Sequence, residues 1–214
     1  MATADADKWN ARFRDGAYLD RTHPTAFLSE WAPRLTTTAG LHAVDLACGA
    51  GRNALYLARM GWSVAALDIS QVALDRLAKA AAAERLPIEC TQIDLDAVSK
   101  VPKDSLPPDS LPTDVPPAAL QVSARCDLAL VVRYTNLPLI ERVASLLKTG
   151  GVLMVELHLQ TDAEVVGPRN PAYRVAPGAL RAAAGNLTIA DYREGIVGDP
   201  DGRPAALAQL LARA

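Results

Sequence analysis

Three aspartates, Asp45, Asp68 and Asp94, together with the glycine pair Gly49 and Gly51, carry the strongest chemical signal in the chain. Glycines between a strand and a helix let the backbone adopt positive φ and approach a ligand closely. Gly49-Ala50-Gly51-Arg52-Asn53-Ala54 fits the pattern Gly-x-Gly-x-x-Ala. Asp68 follows about 20 residues on, where an acid can take the hydroxyls of a ribose. That spacing also suits a nicotinamide dinucleotide. Asp45 discriminates, because it lies inside the strand, before the glycines. Its carboxylate would repel a pyrophosphate and attract a cationic ammonium group. Asp94 closes the third expected strand, at the cofactor edge of a doubly wound sheet, and can accept from an adenine amino group.

The elements that must hold these residues alternate. Leu41 to Leu46, Ser63 to Ile69 and Ile88 to Ile93 read as strands, and the unbroken apolar run of Ser63 to Ile69 is of the kind buried on both faces of a parallel sheet. Helical patterns over Arg52 to Met60 and Gln71 to Leu86 separate them. Further strands are expected at Asp127 to Val132, Val152 to Leu157, Leu187 to Val197 and Ala205 to Leu211, with helices at Leu137 to Lys148 and Ala179 to Ala184. The expected fold is therefore α/β: a doubly wound, mostly parallel seven-stranded sheet with helices on both faces. The turn Gly198 to Gly202 is too short for a parallel crossover, so the last strand must run antiparallel to its predecessor. The chain has no second βαβαβ half to hold a nicotinamide.

One domain, 1–214, is expected from the length. Residues 1–39 read as an N-terminal helical arm or lid, with Trp9 and Phe13 on one face. Residues 98–124 read as a surface insertion, because prolines at 102, 107, 108, 112, 116 and 117 cannot continue a helix or a central strand. The formal net charge of -2 lacks the basic excess of a dedicated nucleic-acid binder. Cys48, Cys90 and Cys126 are odd in number and show no CxxC spacing, so neither a disulfide framework nor a metal site is expected, and a reducing compartment fits. No basic region leads into an apolar run at the N-terminus, and no window approaches the roughly 18 apolar residues of a membrane span. A cytoplasmic protein without membrane association is expected.

Val44-Asp45-Leu46-Ala47-Cys48-Gly49-Ala50-Gly51-Arg52 resembles the first motif of class I S-adenosylmethionine-dependent methyltransferases, with Ala47 where glycine is commoner. Ala66-Leu67-Asp68-Ile69-Ser70 resembles their second strand. Leu147-Lys148-Thr149-Gly150-Gly151-Val152-Leu153 resembles the turn before their fifth, with Thr149 in place of proline. Within the family the core looks most like the small-molecule enzymes of the tellurite-resistance and thiopurine type. The resemblance implies S-adenosylmethionine (SAM) as cofactor and a small-molecule acceptor. It implies that Asp45, Ala47, Cys48, Gly49 and Gly51 hold the methionine part, and that Asp68 holds the ribose. Ile69, Asp94 and Leu95 would border the adenine, and Val132 the methyl donor.

Methyl transfer from a sulfonium needs positioning and exclusion of water more than it needs acid–base chemistry. Candidate catalytic residues are Arg133, Tyr134 and His158, at the ends of the fourth and fifth strands. Candidate acceptor-binding residues are Glu156, which shares a strand face with His158, and Tyr18, Arg21 and His23 in the arm. His42 opens the first strand at its far end and reads as structural. The place equivalent to the [DN]-P-P-[YF] signature of amino-methyltransferases reads Arg133-Tyr134-Thr135-Asn136, so DNA and glutamine acceptors are not expected. Two rival readings remain: a SAM-binding regulatory module without turnover, and a nicotinamide-linked oxidoreductase.

Overall fold

A computed structural model describes residues 2–35, 40–100, 126–143, 147–198 and 201–214. The elements run α1 (Ala2–Arg14), α2 (Ala26–Leu35), β1 (His42–Leu46), α3 (Arg52–Arg59), β2 (Ser63–Asp68), α4 (Gln71–Glu84), β3 (Ile88–Gln92), α5 (Leu95–Lys100) and β4 (Cys126–Val132). They continue with α6 (Leu137–Val143), β5 (Leu147–His158), a single 3₁₀ turn at Pro171–Tyr173, α7 (Ala179–Ala183), β6 (Thr188–Gly198) and β7 (Pro204–Arg213). The strands form one seven-stranded sheet in the order β3-β2-β1-β4-β5-β7-β6. β1 to β5 are parallel, and β7 lies antiparallel between β5 and β6. The expected doubly wound sheet with an antiparallel last strand is the observed one.

Alternation along each strand divides the core in two. On one face Val44, Leu46, Leu67, Ala129, Val131, Leu153, Val155 and Leu157 pack with Leu95, Val98, Leu139, Ile140 and Leu180 from α5, α6 and α7. On the other face Ala43, Val64, Ala66, Leu128, Leu130, Val152, Met154 and Leu211 pack with Phe27, Leu28, Leu57 and Leu77 from α2, α3 and α4. The buried polar strand residues Asp45, Asp68, Glu156, His158 and Gln209 alternate with members of the first set, so they share the second face, beneath the N-terminal arm.

Local chemistry sets the helix ends. The Ser70 hydroxyl accepts from the Ala73 amide and starts α4, and Arg85 in the left-handed region ends it. Asn136 accepts from the Leu139 amide at 3.0 Å and starts α6. The inner face of α4 is Ala73, Leu74, Leu77 and Ala81.

Two sequence expectations need correction. Leu137 to Lys148 is not one helix, because Leu147 and Lys148 already belong to β5. Leu147 pairs with Cys126 and Val152 with Leu128, so residues 148–151 are taken up opposite Asp127. The Lys148 ammonium donates to Asp127 at 2.8 Å and anchors this bulge. Gly151 fits there because a Cβ would stand 2.8 Å from the Lys148 carbonyl oxygen. Residues 98–100 are not part of an irregular insertion; they finish α5, with Val98 buried. The remainder of the proline-rich stretch, 101–124, lies outside the described residues. Among the described residues no helix is long and apolar enough to cross a membrane, and none of the three cysteines is in a disulfide.

Leu130 is fully buried in a central strand. Leu130→Ala should cost about 2–5 kcal/mol through lost transfer energy and the cavity left behind. A urea titration should show a lower midpoint with an unchanged slope. An unchanged midpoint would refute this account of the core.

Candidate functional site

The turn from β1 into α3 is built on left-handed backbone: Ala47 has φ 58°, Gly49 57° and Gly51 79°. Ala47 therefore bears a strained conformation that glycine would adopt freely. The Cys48 amide donates to the Leu67 carbonyl, and the Gly51 amide to the Cys48 carbonyl, both at 3.0 Å. These bonds close the turn beside the end of β2. At Gly51 a Cβ would meet Leu77 Cδ1 at 2.2 Å, so the residue also lets α4 pack against the turn.

Asp68 receives the Gly49 amide on Oδ2 at 2.7 Å and the Ser70 amide on Oδ1 at 2.8 Å. Burial pushes its carboxyl up despite these donors. Asp45 is 1% exposed, and its Oδ2 is buried without a hydrogen-bond partner. Burial first, and the charge of Asp68 second, raise its carboxyl to about 7, with Arg52 opposing. A buried acceptor left without a donor is costly. The cradle therefore contains an acceptor shaped for a donor that the chain does not supply. Burial and the two aspartates drive the Cys48 thiol well above the usual thiol range.

Asp94 accepts the amides of Asp96 and Ala97 on Oδ1, at 3.0 and 3.2 Å, and so caps α5. Leu95 is buried behind it. Ile69 is half-buried at the end of β2, and its carbonyl accepts from Gln92 Nε2 at 3.0 Å. Val132 is half-buried on the second face.

At the end of β4 the chain enters the left-handed region at Arg133, φ 58°. The Arg133 amide donates to the Glu156 carbonyl at 2.6 Å. Its Nε donates to Glu156 Oε1 at 3.2 Å, and Gln209 Nε2 donates to Oε2 at 2.9 Å. Both oxygens of a fully buried carboxylate are thus engaged. His158 follows on the same face, 7% exposed, with its ring against Gly167. Tyr134 turns the other way. Its hydroxyl donates to Asp96 Oδ1 at 2.5 Å, and Asn136 Nδ2 donates to the same oxygen at 2.9 Å. Burial and Asp96 push the phenol far above its usual range. Tyr134 is thereby tied to α5 through Asp96.

The arm reaches the cradle. Phe13 Cζ lies 3.4 Å from where a Cβ on Gly49 would stand, and Arg76 donates to the Phe13 carbonyl. Thr25, at the start of α2, is tied through its amide to Asn53 Oδ1 at 3.1 Å. Tyr18, in left-handed backbone at φ 63°, packs 5.8 Å from the Phe13 ring, with the Arg21 guanidinium 5.2 Å above it. His23 is exposed, and its carbonyl accepts from Arg52 at 3.4 Å. From the opposite side Tyr173 receives the Lys8 ammonium over its ring at 5.9 Å, and its carbonyl accepts from Thr135 Oγ1 at 3.0 Å.

Asp45, Ala47, Cys48, Gly49, Gly51 and Asp68 thus lie together, and Glu156, Arg133 and His158 lie together further along the same sheet face. Tyr18 and Arg21 join the cradle through Phe13, whereas the His23 side chain points to solvent. Gln209, Asn10, Asp96 and Tyr173 were not foreseen. Gln209 had a signal, being the single polar residue in the run Ala205 to Ala212; the others had none. His42 is exposed at the start of β1, its amide on Asp127 Oδ2 at 2.9 Å, consistent with a structural place. Among the described residues no group of three or more His, Cys, Asp or Glu side chains could hold a metal ion.

A methyltransferase-domain family model matches residues 43–106, from β1 through the cradle and past α5. Residues 43–106 are thus similar to a methyltransferase domain, and the cofactor of the SAM-dependent class that they resemble is SAM. Among solved structures it resembles TehB from Haemophilus influenzae, with a TM-score of 0.64 and 20% identity, over 86% of this chain and 61% of that one. It also resembles magnesium protoporphyrin IX methyltransferase (ChlM) from Synechocystis PCC 6803 with bound S-adenosylhomocysteine, with a TM-score of 0.64 and 16% identity, over 100% of both chains. A curated relative, Hemagglutinin 1 from Eikenella corrodens, is 38% identical over 63 residues. That match covers 29% of this chain and only 21% of the relative. The chain therefore spans about a fifth of that relative and about three fifths of TehB.

The Asp45 carboxyl yields a stability prediction. Its folded value of about 7 lies above the roughly 4 of an unfolded aspartate. Between those values the folded chain keeps a proton that the unfolded chain has lost. The contribution of this group to stability therefore falls as pH rises from about 4 to about 7 and is level above. Asp45→Asn should gain stability relative to the parent across that window, in thermal melts at fixed ionic strength. A difference independent of pH would count against burial as the cause.

Proposed function

We propose that the protein transfers a methyl group from SAM to a small-molecule acceptor by in-line displacement. The observation that carries this reading is the buried, unpartnered Oδ2 of Asp45 in a strand–glycine–helix cradle. An ammonium group is the donor that such an oxygen lacks, and the methionine end of SAM has one. When bound, SAM supplies a methyl group already activated by a sulfonium. Asp45 would hold the ammonium, and Ala47 to Gly51 would bring backbone amides against the methionine part. Asp68 would turn its oxygens to the ribose, and Ile69, Asp94 and Leu95 would flank the adenine. Val132 would border the methyl group.

The acceptor side is assigned to the ends of β4 and β5 and to the segments over them. Arg133, fixed by Glu156, would bind the lone pairs or anionic oxygens of the acceptor. A buried ion pair is weak evidence of stabilisation, whereas it does fix a guanidinium in place. His158 would accept a proton if the acceptor arrives protonated. Tyr18 and Arg21 would close the site from the arm, and Tyr134 would brace its adenine side. No role at the site is assigned to the His23 side chain. Nothing in the charge distribution favours a nucleic acid.

Isothermal titration with S-adenosylhomocysteine tests the cofactor assignment. Asp68→Ala should weaken binding by about 1–3 kcal/mol through lost hydrogen bonds to a charged group; wild-type affinity in the folded variant would contradict the ribose role. Affinity of the parent chain should rise as pH increases towards about 7 and then level, because the complex needs the Asp45 carboxylate that the free chain holds protonated up to about 7. Asp45→Asn should bind weakly and without that rise. Tritiated methyl transfer onto a panel of thiols, chalcogen oxyanions, amines and carboxylates tests turnover. Tight S-adenosylhomocysteine binding with no transfer to any of them would favour a regulatory SAM-binding module.

A further inference from the structure

Asn10 lies on α1, distant in sequence from the cradle, yet it is bonded to it. Its Oδ1 accepts from the Ser70 hydroxyl at 2.9 Å and from the Val72 amide at 3.1 Å. Ser70 is fully buried. Its hydroxyl also accepts the Ala73 amide at 3.2 Å, and its own amide donates to Asp68 Oδ1 at 2.8 Å. Asp68 in turn receives the Gly49 amide at 2.7 Å. A continuous hydrogen-bonded path therefore runs from the arm to the carboxylate at the end of β2 and on into the glycine turn. Asn10 satisfies a first-turn amide of α4 that Ser70 leaves open, a capping duty that normally falls to residues next to the helix in sequence.

The same stretch of arm makes an apolar contact one turn later. Phe13 is buried and lies over Gly49, while Arg76 of α4 donates to its carbonyl. α1 thus grips the start of α4 through Asn10 and the glycine turn through Phe13. Cofactor bound between Asp45 and Asp68 would lie under this grip.

We propose that Asn10 is a positioning residue for the cofactor site. Through Ser70 it orients Asp68 towards the ribose, and it clasps α1 across the bound cofactor, so that exchange requires the clasp to open. This rests on the SAM-binding reading above. The clasp couples two events that share Ser70: ribose binding at Asp68 and docking of the arm.

The probe is S-adenosylhomocysteine, and the reporters are its dissociation rate and trypsin cleavage at Lys8, Arg12 and Arg14. In the parent chain saturating S-adenosylhomocysteine should slow cleavage within the arm. Asn10→Ala, which removes both acceptor contacts, should release S-adenosylhomocysteine about tenfold faster, with little change in association rate, and should lose the protection. Asn10→Asp keeps an acceptor in the same place, at a helix N-terminus that favours negative charge, and should retain slow release and protection. Parent-like release and protection in Asn10→Ala would overturn the proposal, as would failure of Asn10→Asp to retain them. Absence of S-adenosylhomocysteine binding to the parent chain would instead overturn the functional reading, and this one with it.

Discussion

The structure depends on a carboxylate kept out of water. Asp45 stands in β1, the middle strand of the parallel run, with Val44 and Leu46 on the opposite face and the Ala54 amide of α3 bonded to its carboxyl. Placing a carboxylate there opposes folding, as the raised value of about 7 records. A chain selected for stability alone would put an apolar residue at this position, as it does at Ala43 in the same strand. The cost is offset by the surrounding core, whose two apolar layers cover both faces of the sheet. The left-handed backbone at Ala47 is a second cost of the same kind, met in the same turn.

Around that point, polar groups are placed so that each holds the next. Asp68 is set by the amides of Gly49 and Ser70, and Ser70 by Asn10. Glu156 is set by Arg133 and Gln209. Asp96 gathers Tyr134 and Asn136. Asp68, Arg133 and Glu156 lie at or just past the carboxyl ends of the parallel strands β2, β4 and β5, around the point where the strand order reverses between β1 and β4. A crevice forms there in open α/β sheets because the crossovers leave in opposite directions. The antiparallel β7 extends this floor by one strand and adds Gln209 to it, directly opposite Glu156.

Much of this was legible in the chain itself. Apolar runs of strand length between amphipathic helical stretches required a parallel sheet, and the short turn at Gly198 to Gly202 required a reversed last strand. Glycines at 49 and 51 with acids at 45 and 68 marked one end of that sheet. These features are local, since period, turn length and φ preference act over a few residues. The helical pattern of Leu137 to Lys148 overruns α6, because Leu147 pairs with Cys126 and Lys148 with Asp127 across β4 and β5. Tyr134 read as a catalytic candidate because its position at a strand end is visible. Its bond to Asp96, 38 residues away in sequence, is not.

What the sequence determined by itself is the sheet, its topology, and a cradle for a ligand with a cation and a ribose. The tertiary structure decided which side chains complete that cradle. Asn10 meets Ser70 across 60 residues, and Gln209 meets Glu156 across 53. Neither pair leaves a periodic or local trace, because side-chain hydrogen bonds between distant elements depend on how helices and strands are laid against each other. The backbone rules that shape each element do not specify them.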